Sequence, residues 1–243
     1  MRLNSYGTTG IGFGTGGVVV TNLEGNTILG RGWAVQADGK LLFARGGEGF
    51  SAVVRHDTTG FLDPSFENGG LALAAFGGAG ASANALAMQP DGLVVLAGCS
   101  VHGFDNAVAV ARSTADGVLY AGFSGNGMAE APLAFGVART SLAIRPDGKI
   151  VVVGSGGSHM FAARVTGAGD LDRGFFGGGI QVVLFPGLAS PFGNAVRAQA
   201  EGKTLAAGAA ERIHRPLVGL NDKGSMTFPS KGMAWSSRTS LAY

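Results

Sequence analysis

The sequence predicts an all-β protein, a β-propeller built of four-stranded antiparallel blades. Three observations carry this: a hairpin signature that recurs four times, a second landmark that keeps step with it, and the weakness of helical periodicity along the chain. The hairpin signature reads Ala37-Asp38-Gly39-Lys40, Pro90-Asp91-Gly92-Leu93, Pro146-Asp147-Gly148-Lys149 and Ala200-Glu201-Gly202-Lys203. An Asp-Gly step between apolar runs predicts a two-residue hairpin whose positive φ angles glycine tolerates. The second landmark places an arginine five residues before a glycine, at Arg2 and Gly7, Arg55 and Gly60, Arg112 and Gly117, and Arg164 and Gly169. A phenylalanine follows six residues past each glycine, at Phe13, Phe66, Phe123 and Phe175, and the fifth copy keeps Gly224 but has Gly219 for arginine and moves the aromatic to Phe228.

Between landmarks the chain reads as short apolar runs bounded by turn residues. In one unit these are Asn84–Met88, Leu93–Ala97, Ala107–Ala111 and Met128–Leu133, which gives four strands per unit. Four-stranded units of this length fit twisted sheets set radially about an axis, whereas the rungs of a β-solenoid are shorter. The single domain 1–243 divides into repeat units of approximately 8–60, 61–117, 118–169 and 170–224, with a partial unit 225–243 closing with 1–7. If each Asp-Gly step ends an innermost strand, Arg238–Tyr243 supplies an inner strand and Arg2–Tyr6 and Gly16–Thr21 supply outer ones. One blade is then split between the termini and the expected ring has five blades.

Composition agrees with a packed core. Hydrophobic residues make up 46% of the 243 positions and charged residues 14%, which is not the balance of a disordered chain. The 44 glycines keep no three-residue period, so frequent turns account for them. A net charge of +2 without a basic stripe argues against a nucleic-acid partner. The absence of any run of about 18 apolar residues predicts no membrane span, and Met1–Tyr6 lacks the apolar stretch of a signal peptide. The single cysteine, Cys99, lies in an apolar run and is expected to be a buried thiol.

Two segments, Gly60-Phe61-Leu62-Asp63-Pro64-Ser65-Phe66 and Gly169-Asp170-Leu171-Asp172-Arg173-Gly174-Phe175, each follow a strand that ends in arginine. With the hairpin signature they resemble the bacterial delta-60 repeat β-propellers over nearly the whole chain, with Tyr120 standing where the pattern has aspartate. The resemblance implies propeller architecture and an exported or cell-surface setting, and it implies little chemistry.

Residues present in every unit are expected to be structural. Each phenylalanine is expected to fill the space between neighbouring blades, and the arginines to snorkel or pair with Asp63 and Asp172. The stretch Gly12-Phe13-Gly14-Thr15-Gly16-Gly17 satisfies a dinucleotide-loop pattern, but the strand-like Val18-Val19-Val20-Thr21 follows it, so no cofactor is expected. Candidate ligand contacts are the residues that break the symmetry. His102, His159 and His214 fall in the same loop of successive units, and Glu48 in the corresponding loop before them; by ligand type these are the metal candidates. Arg212, His214 and Arg215 belong to the densest charge cluster, and Arg31, Arg139 and Arg197 lack counterparts in the other units. Such cations suit an anion or acidic partner at the mouth of a central channel. Asn84 and Asn194 open inner strands.

The chain has no Gly-x-Ser-x-Gly elbow, no His-Glu-x-x-His and no Asp-rich calcium loop. The expectation is a non-enzymatic binding or structural module, its ligand an unidentified protein or small molecule held at the histidine-bearing loop face. The alternatives are a metal-dependent hydrolase of the lactonase-like type using His102, His159 and His214, and a carbohydrate-binding propeller.

Overall fold

Short apolar runs punctuated by glycine turns can satisfy their backbone only by pairing with neighbours, and they do so as antiparallel meanders. The computed structural model describes residues 1–21, 32–47, 50–76, 80–103, 105–137, 139–156, 159–184, 192–199, 201–209 and 217–227. The first sheet holds β1 (Trp33–Val35), β2 (Leu41–Gly47), β3 (Phe50–His56) and β4 (Leu71–Ala74). The second holds β5 (Gly80–Met88), β6 (Val94–His102), β7 (Asp105–Ser113) and β8 (Met128–Leu133). The third holds β9 (Arg139–Ile144), β10 (Ile150–Gly156), β11 (His159–Val165) and β12 (Ile180–Leu184). The fourth holds β13 (Phe192–Ala198), β14 (Thr204–Ala209), β15 (Leu217–Leu220) and β16 (Met226–Thr227). Strands pair in chain order within each sheet, and one bridge, Gly47 with Ala81, links the first two. The first strand of each sheet packs on the first strand of the next, which is the arrangement of propeller blades. No helix occurs among the described residues, so none is long and apolar enough to cross a membrane.

The cores lie between sheets, because strands in the middle of a blade are covered on both faces. In β6, Val94 and Leu96 face the first sheet while Val95 and Ala97 face the third. In β10, Ile150 and Val152 face the second sheet while Val151 and Val153 face the fourth. Burial on both faces explains why these two strands read as continuous apolar runs. Cys99 is buried as expected, with its Sγ 3.0 Å from Ser82 Oγ.

The hairpins differ from the sequence expectation. The Gln36 N–H donates to the Lys40 carbonyl and the Gly39 N–H to the Gln36 carbonyl, so the loop has three residues, and the pattern repeats at Gln89, Arg145 and Gln199. Only the glycine takes a positive φ, +85° at Gly39 and Gly92, while the aspartate Oδ1 accepts the N–H two residues on, as in Asp91 to Leu93 at 3.0 Å. This is the turn-plus-bulge hairpin, in which one residue is left-handed and the aspartate holds the corner.

The repeated arginine and phenylalanine form a clamp between successive blades. Arg55 pairs through Nε with Asp63 at 2.9 Å, donates through Nη1 to the Ala115 carbonyl of the next unit at 2.8 Å, and lies over the Phe66 ring at 4.6 Å. Arg164 repeats this with Asp172 at 2.7 Å, the Asp222 carbonyl at 2.6 Å and the Phe175 ring at 4.7 Å. The ring reaches the next blade because a glycine meets it there. A Cβ on Gly117 would lie 2.9 Å from Phe66 Cζ, and one on Gly224 would lie 2.9 Å from Phe175 Cε2. The residue after each phenylalanine turns left-handed, Glu67 at +29°, Ser124 at +53° and Phe176 at +49°. Its N–H thereby points across the interface and donates to the Asp116, Ala168 and Lys223 carbonyls respectively.

The turn lysine joins the clamp. Lys40 Nζ is 3.0 Å from Asp63 and Lys149 Nζ is 2.8 Å from Asp172. The second blade has Leu93 in place of this lysine and Tyr120 in place of the aspartate, and there Arg112 stacks on the rings of Tyr120 and Phe123 at 4.9 and 4.7 Å. Cation and carboxylate have been exchanged together for apolar and aromatic groups, which keeps the buried charge balance of the site.

Residues 1–21 occupy the outer turn of a further unit, with the same contacts onto the first sheet. Arg2 Nη1 donates to the Thr58 carbonyl, the Gly14 N–H donates to the Thr59 carbonyl, and a Cβ on Gly60 would meet Phe13 at 3.0 Å. The strands expected at Arg2–Tyr6 and Gly16–Thr21 are not formed; only the isolated bridges Leu3 with Thr9 and Thr15 with Val18 are present. A segment so rich in glycine closes tight turns on itself and leaves no extended run to pair. The inner strand expected at Arg238–Tyr243 lies outside the described residues.

Candidate functional site

The loop joining the second and third strands places His102 and His159 at blade ends, and both are engaged locally. His102 Nε2 lies 2.8 Å from Glu130 Oε1, and the same oxygen accepts the hydroxyl of buried Ser100. The order is serine, carboxylate, imidazole. A nucleophilic triad needs the imidazole in the middle to take the serine proton, so this trio is not arranged as one. His159 stacks flat on Phe135, ring centroids 4.5 Å apart, in the segment that links β8 to β9. Among the described residues no three His, Cys, Asp or Glu side chains gather as a metal site. Glu48 and His214, the other members of the anticipated set, lie outside the described residues, as do Arg31, Arg212 and Arg215.

Asn84 and Asn194 hold equivalent places with a backbone reason for being there. The register of β5 on β6 shifts between Ala83 and Ala85, and that of β13 on β14 between Gly193 and Ala195, so each asparagine is the extra residue of a β-bulge. Asn84 Nδ2 also donates to Ser82 Oγ at 3.2 Å. Arg197 is exposed on β13, and Arg139 begins β9 opposite Ser155.

One concavity lies apart from the candidate residues that the sequence singles out. It lies between the N-terminal segment and the face of the first sheet turned away from the second, with a volume of about 780 Å³. Phe13 and Val19 line one wall, and Trp33, Val35, Phe43 and Val54 line the other. Trp33, Val35 and Phe43 remain 67%, 51% and 40% exposed, which is unusual for large apolar groups gathered on one sheet face. Two buried polar side chains, Arg45 and His56, enter this wall.

His56 Nε2 is 2.6 Å from Thr21 Oγ1, its ring meets Phe43 edge-on at 5.3 Å, and its Nδ1 is buried without a partner among the described residues. Burial pushes the imidazole below its ordinary value of 6.5, with Asp57 partly opposing the shift. The folded protein therefore holds His56 neutral where the unfolded chain has begun to take up a proton. Stability falls as pH drops through about 6.5 toward the folded value, because the unfolded state binds the extra proton. Urea unfolding at about pH 7.5 and about pH 5.5 is expected to show a larger loss in the native protein than in His56→Gln; equal losses would remove His56 from this account.

Blades of four antiparallel strands, with a repeated inter-blade clamp, make this a β-propeller. Residues 145–175 match the family model described as "Domain of unknown function (DUF5122) beta-propeller". No curated protein matches the sequence. Among solved structures, a protein from Lactobacillus plantarum is similar at 15% identity and a TM-score of 0.49, over 83% of this chain and 56% of that one. The chain thus spans little more than half the length of that protein. A virginiamycin B lyase from Staphylococcus aureus is similar at 14% identity and a TM-score of 0.38, covering 88% of this chain and 74% of the other. A glycosyl hydrolase from Bacteroides ovatus gives 12%, 0.47, 84% and 70%. These likenesses assign no activity to this chain.

Proposed function

We propose that the protein is a non-enzymatic binding module whose ligand enters the cavity on the outer face of the first sheet. The observation that carries the reading is the cavity itself: about 780 Å³, mostly apolar walls, and a buried guanidinium and imidazole among them. Small-molecule sites have this character, a concave apolar volume of about 300–1,000 Å³ with few, placed polar groups. The reading is also supported by where the repeated polar residues go, since Arg55, Arg164, Asp63 and Asp172 are consumed in clamps. It moves the ligand from the histidine-bearing loop face to the sheet face.

Trp33 lines the cavity and reports on it once Trp235, outside the described residues, is changed to phenylalanine. An apolar environment-sensitive dye titrated into Trp235→Phe is expected to saturate with a change in Trp33 emission, and to bind at least about tenfold more weakly to Trp33→Ala, about 1.4 kcal/mol. Saturable binding that ignores Trp33, or no binding, would contradict the reading.

A further inference from the structure

Resting on that reading, we propose that the ligand carries a single carboxylate on an apolar tail and that Arg45 holds the carboxylate. Arg45 breaks the repeat at an informative place. Counted from the turn acid of each unit, its equivalents are Gly98 in β6, Gly154 in β10 and Gly208 in β14. A glycine position on the inner half of a blade has here become the longest cationic side chain available.

Its surroundings differ from those of every other buried arginine. Arg55 and Arg164 are paired with carboxylates, Arg145 pairs with Asp147 and Asp222, and Arg112 lies against two aromatic rings. Arg45 is 7% exposed, and among the described residues its Nε has no acceptor and its one contact of note is the Phe50 ring at 5.6 Å. No carboxylate of the described residues forms an ion pair with it. A buried charge that lacks a partner is strongly unfavourable, and the planar fork of a guanidinium is best satisfied by the two oxygens of a carboxylate.

The stoichiometry of charge points to a monoanion. Of the other polar groups on the wall, His56 is neutral, bound to Thr21, and Arg2 stands exposed at the rim with its guanidinium on the Thr58 carbonyl. Met1, with the N-terminal amine, is likewise exposed, so among the described residues of the wall Arg45 is the single buried cation, a match for one carboxylate rather than a phosphate dianion. The tail has its place beside Trp33, Val35 and Phe43, whose exposed faces it would cover.

Dodecanoate and 1-dodecanol share a chain and differ in the head group, so calorimetric titration of both into the native protein separates the two levels of the reading without any variant. The expected result is dodecanoate bound at least about tenfold more tightly than the alcohol, with Arg45→Met abolishing the preference while still binding the alcohol, and Arg45→Lys retaining part of it. Equal affinities in the native protein, or an undiminished preference in a folded Arg45→Met protein, overturn the carboxylate proposal and leave the binding module standing. Failure of both probes to bind overturns the two together, as it would if the chain's own residues filled the cavity.

Discussion

Replacing Phe66 by alanine is expected to destabilise the protein by about 3–5 kcal/mol, the range for deleting a fully buried aromatic ring. Phe66 is 0% exposed, packs where Gly117 of the next unit leaves room, and carries the Arg55 guanidinium on its face. Its loss opens a void at a blade interface that cannot collapse readily, because the backbone on both sides is fixed. The Glu67 N–H is tied to the Asp116 carbonyl, and the Phe66 N–H to the Asp63 carbonyl. Urea unfolding followed by circular dichroism measures this directly. A midpoint within error of the native one would mean that the ring does not fill the interface.

The second large effect is a contrast between two arginines that look equivalent in sequence. Arg55→Met is expected to cost about 3–5 kcal/mol, because it strips a partner from the buried carboxylate of Asp63 and two acceptors from the next blade. The Ser65 hydroxyl, with help from Lys40 and Arg55, holds that carboxyl well below the usual range despite its burial. Arg112→Met is expected to change stability by no more than about 1 kcal/mol, since it leaves no buried carboxylate behind and replaces a stacked, desolvated cation by an apolar chain. Burial already pushes the Arg112 guanidinium below its ordinary value, with the charge of Asp91 only partly opposing it. Equal costs at the two sites would show that the clamp works through ring packing alone and that the ion pair adds nothing.

The repeat and its strands were legible because each blade solves the same packing problem with the same residues. Met128–Leu133 is β8 as expected, while Asn84–Met88 and Ala107–Ala111 cover five of the nine residues of β5 and of β7, and Leu93–Ala97 covers four of the nine of β6. The pairing of Arg55 with Asp63 and of Arg164 with Asp172 was also readable, since the partners lie eight residues apart in every copy that has both. The third member was not. Lys40 and Asp63 are distant along the chain and meet only when the hairpin folds over the clamp, although the joint change to Leu93 and Tyr120 in the second unit carried the signal. The hairpin loop length is not set by the sequence, because Asp-Gly fits both two- and three-residue loops, and hydrogen bonds at Gln36 and Lys40 decide between them. The sequence hides Arg45 for a similar reason. An arginine on a short strand reads as solvated until alignment to the turn acid shows glycine at its equivalents and the fold shows that its face looks onto a cavity.

The most direct measurement is a crystal structure of the protein grown with a dodecanoate that carries bromine at its tail end, with anomalous data collected at the bromine edge. The account predicts one bromine peak beside Trp33 and Phe43, and carboxylate density within hydrogen-bond reach of the Arg45 guanidinium. A cavity filled instead by strands of the chain itself, with Arg45 paired to a protein carboxylate, would contradict it.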